Sequence, residues 1–138
     1  MPFKPLARAL VDVGQAMGVK TSALVTDMNQ PLGRMVGNAL EVHESLDCLR
    51  GEGPQDVRDL SVRLGSELLV ASGTVATIEE ANVIQQDAVD SGRALEKFQQ
   101  MVAAQGGRLP TQGQLPPPHT LGSPQQGFVQ AIDNGLLG

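Results

Sequence analysis

Apolar residues recur at helical spacing over most of the first 105 positions of the chain. The first stripe consists of Leu6, Leu10, Val13 and Met17 and predicts an amphipathic helix over residues 4–17. The later stripes predict helices over residues 36–50, 55–72, 77–89 and from about 91 to 105. Glycines follow several of these stripes and are expected to end the helices.

Polar residues mark where two of these helices begin. Thr77 is followed three residues later by Glu80, which is the pattern of a capping box. Asp90 and Ser91 precede the last stripe and are predicted to cap that helix.

One short segment has a different pattern. Residues 19–25 combine Val, Thr, Ala and Leu between Gly18 and the polar pair Thr26-Asp27, which is typical of a buried strand in an α/β sheet. Residues 29–33 then form a loop, because Asn, Pro and Gly favour turns. A buried strand needs hydrogen-bonding neighbours, and the rest of the chain before residue 106 predicts only helices. We therefore expect a fragment of a larger α/β protein, cut at both ends.

The composition changes near residue 106. Residues 106–127 contain five Gly, five Pro and a single charged residue, Arg108, which predicts a linker over residues 108–126. Residues 127–132 then alternate like a strand, so residues 127–138 are expected to begin another domain.

Composition and charge exclude several classes of protein. The chain is 41% hydrophobic and 18% charged, which is too apolar for a disordered protein, and it has no unbroken apolar run long enough to span a membrane. A net charge of -5, three Phe and the absence of Trp and Tyr argue against a nucleic-acid partner. The single Cys48 and the absence of an export signal make the cytoplasm the expected location.

The residues alone assign no catalytic group. His43, Glu44, Asp47 and Cys48 lie within two helical turns, but Cys48 points away from the face that His43 and Asp47 share. A solvated polar face with a buried thiol is therefore favoured over a transition-metal site. No Ser or Cys lies in a recognisable nucleophile motif, and the glycines have the spacing of helix ends rather than of a dinucleotide or phosphate loop.

A longer motif carries a family resemblance. Residues 26–42 read TDMNQPLGRMVGNALEV and closely resemble the signature of the thymidine phosphorylase and pyrimidine-nucleoside phosphorylase family. The similarity continues through residues 49–54, 56–60 and 98–107 and ends with residues 127–129. Seventeen consecutive residues of unusual composition make chance a poor explanation.

The resemblance implies both a fold and an activity. Residues 1–107 would be a helix-rich part of the family's large α/β, glycosyl transferase-like domain, and residues 127–138 the start of its small α+β domain. Members of the family are homodimers of nucleoside salvage. They phosphorolyse thymidine or uridine to the free base and 2-deoxyribose or ribose 1-phosphate, with phosphate as a substrate and no redox cofactor.

The resemblance also implies where the chemistry lies. The family's phosphate loop and its Arg, Ser and Lys set for the pyrimidine match nothing here and would precede Met1, so we expect no catalytic residue in this chain and no activity from the chain alone. The bacterial pyrimidine-nucleoside branch binds a monovalent cation, potassium. By resemblance its ligands would be the main-chain carbonyls of Leu32 and Met35 and the carboxylate of Glu44, with further carbonyls from the phosphate loop.

Two other interpretations remain open from the sequence. The chain could be a non-catalytic interaction module derived from the same fold, or a piece of a related phosphoribosyltransferase. The sequence also leaves open whether thymidine or uridine is preferred.

Overall fold

The computed structural model describes residues 3–27, 30–110 and 120–131. Within them the chain forms five helices and no strand: α1 (Phe3–Ala16), α2 (Asn38–Leu49), α3 (Gln55–Ala71), α4 (Ile78–Asp90) and α5 (Arg93–Ala104). Each helix coincides closely with a stripe of apolar residues in the sequence. No helix of the described residues has the length and apolar character needed to cross a membrane.

The predicted strand over residues 19–25 is not formed. Residues 19–27 have no regular secondary structure, and most of their side chains are exposed. A strand needs a partner for its N–H and C=O groups, and the described residues supply none. The helix-rich character of the fold class is therefore confirmed, whereas the strand of the α/β sheet is not seen.

The C-terminal region is described only in part. Residues 107–110 and 120–131 are without helix or strand, and residues 120–131 are exposed. The rest of the predicted linker, residues 111–119, and residues 132–138 of the predicted second domain lie outside the described residues. The domain boundaries at 107 and 127 accordingly stay predictions.

One of the two predicted caps is confirmed. The Glu80 N–H donates to Thr77 Oγ1 at 3.1 Å, so Thr77 caps α4 as predicted, and the Glu80 carboxylate closes a variant of the capping box by accepting from the Ala76 N–H, one residue before the cap, at 2.9 Å. The cap predicted at Asp90-Ser91 is wrong. Helix α4 continues through Asp90, and the N-cap of α5 is Gly92, which has a φ of 76° and makes no side-chain cap. The left-handed turn between the two helices requires a glycine there.

The chain divides into two compact units. The first comprises Met1–Met28 and Asp59–Asp87. Its buried polar centre joins α3 to α4: the fully buried Ser66 hydroxyl donates to Asn82 Oδ1 and accepts from Gln85 Nε2, each at 2.6 Å. Helix α1 also belongs to this unit and keeps its apolar stripe exposed.

The second unit comprises Asn29–Arg58 and Ala88–Gly138. Helix α2 packs against α5 in this unit. On α2, Leu46 is 2% exposed and Glu44 is 8% exposed. Burying a carboxylate costs free energy unless it is hydrogen-bonded. The hydrogen-bond partners of Glu44 are therefore the first place to look for a functional site in this unit.

Candidate functional site

The candidate site is the loop of residues 30–37, which leads into α2 and lies within the family signature of residues 26–42. The loop bends at two glycines with positive φ, Gly33 at 73° and Gly37 at 119°, and Gly37 is the N-cap of α2. These backbone conformations are readily available only to glycine. The two glycines therefore allow the loop to bend sharply at these positions.

Glu44 attaches α2 to this loop. Its Oε1 accepts a hydrogen bond from the Arg34 N–H at 2.9 Å. This bond offsets part of the cost of burying the carboxylate, and it leaves lone pairs on the same group for another positive partner. The carboxylate is thus held against Gly33 and Arg34, which lie in the chain between the two residues whose carbonyls the resemblance assigns to a cation, Leu32 and Met35.

Asp56 attaches α3 to the neighbouring residue of the loop. Its Oδ2 accepts a hydrogen bond from the Gly33 N–H at 2.9 Å. This bond lowers the pKa of Asp56, with further contributions from the N–H groups of Val57 and of Asp56 itself. Consecutive N–H groups of the loop, those of Gly33 and Arg34, are therefore each bound by a carboxylate from a different helix.

Gly33 is closely enclosed by these contacts. A Cβ built on Gly33 would overlap Glu44 Oε2 and would lie 2.8 Å from Val57 Cγ2, which is shorter than real Cβ contacts. A side chain at this position would therefore displace the carboxylate as well as strain the backbone. The enclosure of Gly33 keeps the loop and Glu44 in close contact.

The donor set fits an alkali cation. Main-chain carbonyls and a carboxylate are hard oxygen ligands of the kind that potassium accepts. A groove of about 640 Å³ lies along the same loop; Leu32 and Met35 are among its lining residues, whereas Glu44 is not. Within residues 3–27, 30–110 and 120–131, no group of three His, Cys, Asp or Glu side chains is placed to hold a metal ion.

The other three residues of the polar cluster on α2, His43, Asp47 and Cys48, differ in their surroundings. Asp47 pairs with Arg50 at 3.0 Å, and the Nε2 atom of His43 is buried without a hydrogen-bond partner in the described structure. Burial raises the pKa of Cys48, with Glu44, Asp47 and Asp56 adding to the effect and Arg58 opposing it. A raised thiol pKa does not favour the thiolate that a nucleophile or metal ligand needs.

The contact that Asp56 makes with the loop was not predicted from the sequence. The position of Asp56 in the first turn of α3, shortly after Pro54, is typical of an acidic residue that stabilises a helix N-terminus. Its bond to Gly33 joins residues 23 positions apart. No local pattern signals such a contact.

Residues 2–95 of the chain match the glycosyl transferase family, a/b domain. This match covers more than half of the 138 residues, so the chain belongs to that family. The matched region includes the loop, α2 and α3.

The curated relatives are more specific. The chain is 48% identical over 102 residues to a pyrimidine-nucleoside phosphorylase of Staphylococcus aureus (strain bovine RF122 / ET3-1), and 47% identical over 102 residues to that of strain USA300. In both cases the match covers 74% of this chain and 24% of the relative. The chain therefore spans about a quarter of the length of the curated relatives it matches.

Proposed function

We propose that this chain is a part of the α/β domain of a pyrimidine-nucleoside phosphorylase. The identity of 47–48% to enzymes of that name supports the proposal. It also favours a phosphorylase over a related phosphoribosyltransferase. The enzyme transfers the pentosyl group of thymidine or uridine to phosphate and releases the free base.

The reaction defines what the whole protein must do. A phosphate oxygen forms a bond to C1′ of the sugar while the bond from C1′ to the base nitrogen breaks and its electron pair leaves with the base. A proton then neutralises the base, and the other product is the pentose 1-phosphate. Such a reaction depends on positioning the phosphate and on stabilising the charge of the departing base.

The part of this chemistry that we assign to the present chain is a monovalent cation site. Its protein ligands are the carbonyls of Leu32 and Met35 and the carboxylate of Glu44, and potassium is the cation expected. The single observation that carries this assignment is the bond from the Arg34 N–H to the buried Glu44, which fixes the carboxylate beside the loop. When bound, the cation supplies positive charge close to the substrate phosphate.

Further properties belong to the same proposal. The complete enzyme is expected to be a cytoplasmic homodimer of nucleoside salvage, with phosphate as a substrate and no redox cofactor. The family's phosphate and pyrimidine ligands match no residue of this chain. The chain on its own should therefore produce no free base from thymidine or uridine, because both positioning and charge stabilisation would be missing.

A segment exchange tests the proposal. The matched segment of the Staphylococcus aureus pyrimidine-nucleoside phosphorylase is replaced by the corresponding residues of this chain, and release of uracil or thymine is measured in the presence of phosphate. We expect kcat/KM within about tenfold of the parent enzyme, because a segment that preserves the site should cost no more than about 1.4 kcal/mol of transition-state stabilisation.

The controls make a negative result informative. The parent enzyme and the exchanged enzyme are compared by size-exclusion chromatography and circular dichroism. An exchanged enzyme that has the parent's size and helix content but loses more than about a thousandfold in rate would contradict the proposal and favour the non-catalytic interaction module. Consumption of free base that requires a phosphoribosyl pyrophosphate donor and releases pyrophosphate would instead favour the phosphoribosyltransferase.

A further inference from the structure

The orientation of one peptide unit decides whether Leu32 can be a ligand. The Leu32 carbonyl and the Gly33 N–H belong to the same planar peptide, and the described residues contain no cis peptide. In a trans peptide these two groups point in opposite directions. Whatever binds the Gly33 N–H therefore also sets the direction of the Leu32 carbonyl.

Asp56 is the residue that binds this N–H, at 2.9 Å through Oδ2. Turning the Leu32–Gly33 peptide would break a hydrogen bond to a charged acceptor, which is stronger than one to a neutral acceptor. The carboxylate also polarises the peptide, so the opposite carbonyl becomes a better electron donor. Both effects favour a Leu32 carbonyl that points away from α3.

The next peptide is fixed in the same way by Glu44, through the Arg34 N–H at 2.9 Å. Two successive peptides are thus oriented by carboxylates from α3 and α2. Gly33 stands between them with a φ of 73° and no room for a side chain. The loop therefore has little freedom to redirect the Leu32 carbonyl while both bonds are present.

We propose that Asp56 is a positioning residue of the cation site, which holds the Leu32–Gly33 peptide so that the Leu32 carbonyl is directed for cation binding. This inference rests on the proposed function, since it takes Leu32 as a ligand. Asp56 itself need not touch the cation. Its contribution is made through the peptide bond.

A purely structural role would have a different signature. Asp56 lies in the first turn of α3, where any carboxylate stabilises the helix. Glu79 occupies the equivalent second position of α4 and is likewise an acidic first-turn residue. Glu79→Ala therefore controls for the loss of a helix-dipole contribution, and Asp56→Asn keeps an acceptor oxygen while removing the charge.

The first test uses the 138-residue chain without any added cation. Nuclear magnetic resonance would follow the Gly33 amide proton and the Leu32 carbonyl carbon during a pH titration. Both should shift with one midpoint, below the ordinary range of Asp, and this step should vanish in Asp56→Asn and persist in Glu79→Ala. A Leu32 carbonyl that does not respond to Asp56 would overturn the inference, and so would the loss of its step in Glu79→Ala.

The second test uses the exchanged Staphylococcus aureus enzyme, in which Asp56→Ala should raise the half-saturating potassium concentration about tenfold. Asp56→Asn should raise it less, because Asn still accepts from the Gly33 N–H, and Glu79→Ala should leave it within about twofold. Binding is read from the potassium-dependent rise in melting temperature as well as from the rate. Equal half-saturating potassium concentrations in Asp56→Ala and Glu79→Ala would overturn the inference.

The two tests separate this inference from the proposal beneath it. If the wild-type exchanged enzyme shows no potassium dependence in either readout, the cation site of the proposed function is wrong, and Asp56 cannot be its positioning residue. If potassium binds, and Glu44→Gln weakens potassium binding while Asp56→Ala does not, the cation site stands and the proposed role of Asp56 is wrong.

Discussion

The loop of residues 30–37 and helix α1 differ in where their stabilising contacts lie. The loop is tied to α2 and α3 by two carboxylates, and one of these, Glu44, is buried. The apolar stripe that runs along α1 and ends just after it is more than half exposed at five positions: Phe3, Leu6, Leu10, Val13 and Met17. The groups that stabilise the loop therefore lie within the described residues, whereas the apolar face of α1 stays exposed among them.

The difference shows which features of a domain segment are local. Side-chain to backbone bonds between a loop and the adjacent helices need only a short stretch of sequence. The hydrophobic face of a helix needs a surface to pack on, and that surface is supplied by the tertiary structure. A candidate site can thus be well defined in a segment whose core is small.

The largest expected effect concerns a buried and an exposed leucine. Leu46→Ala should destabilise the chain by about 2–4 kcal/mol, because the side chain is 2% exposed and its removal leaves a cavity. Leu10→Ala on α1 should cost less than about 0.5 kcal/mol, since Leu10 is 61% exposed. Urea unfolding followed by circular dichroism measures both. Equal losses of unfolding free energy in the two variants would show that the apolar face of α1 is covered in solution.

Glycines with nearly the same φ provide the next comparison. Gly33→Ala and Gly18→Ala both place an alanine at a φ near 74°, and each should cost roughly 1 kcal/mol for the backbone alone. The Cβ at Gly33 would also overlap Glu44 Oε2, whereas the Cβ at Gly18 would meet nothing within 4 Å. Gly33→Ala should therefore destabilise by about 1–2 kcal/mol more than Gly18→Ala. Equal unfolding free energies would mean that the loop is not held against Glu44.

The smallest expected effect is the pH dependence that Asp56 adds. Its pKa is lowered in the folded chain, so the folded state binds this proton less readily than the unfolded state. The stabilisation is therefore present above the ordinary Asp pKa and is lost as the pH falls through the lowered value. The urea midpoint of Asp56→Asn should decline less than that of the wild type below about pH 4.

The control for this pH effect is Glu79→Gln, which removes a first-turn carboxylate from α4. Asp56→Asn should remove more of the pH dependence than Glu79→Gln does, because Asp56 also binds the Gly33 N–H. An equal change in the two variants would indicate that the bond to Gly33 adds nothing to what any first-turn carboxylate contributes.

The helices could be predicted from the sequence because their signal is local. The stripe of Leu6, Leu10, Val13 and Met17 has the period of a helix whether or not its partner is present. The capping box of Thr77 and Glu80 is equally local, since both groups lie within one turn. By contrast, residues 19–25 have the composition of a strand but form none here, because a strand exists only with a partner.

The candidate site was predicted only in part. Family resemblance indicated Leu32, Met35 and Glu44, and the structure places Glu44 against the loop that carries the other two. The role of Asp56 depends on a contact across 23 residues, which no periodicity or motif reveals. The cap at Asp90-Ser91 was predicted wrongly because a left-handed glycine, Gly92, replaced a side-chain cap.

Our central proposal is that Glu44 and the loop form a cation site in a pyrimidine-nucleoside phosphorylase. The most direct measurement is the kcat/KM of the exchanged enzyme in potassium and in tetramethylammonium, with Glu44→Gln compared with Asp47→Asn, a surface carboxylate one turn further along α2. We predict a loss of at least about tenfold when potassium is replaced. That dependence should persist in Asp47→Asn and largely disappear in Glu44→Gln. Identical rates in both cations for the unmodified and the Glu44→Gln enzymes would contradict the account.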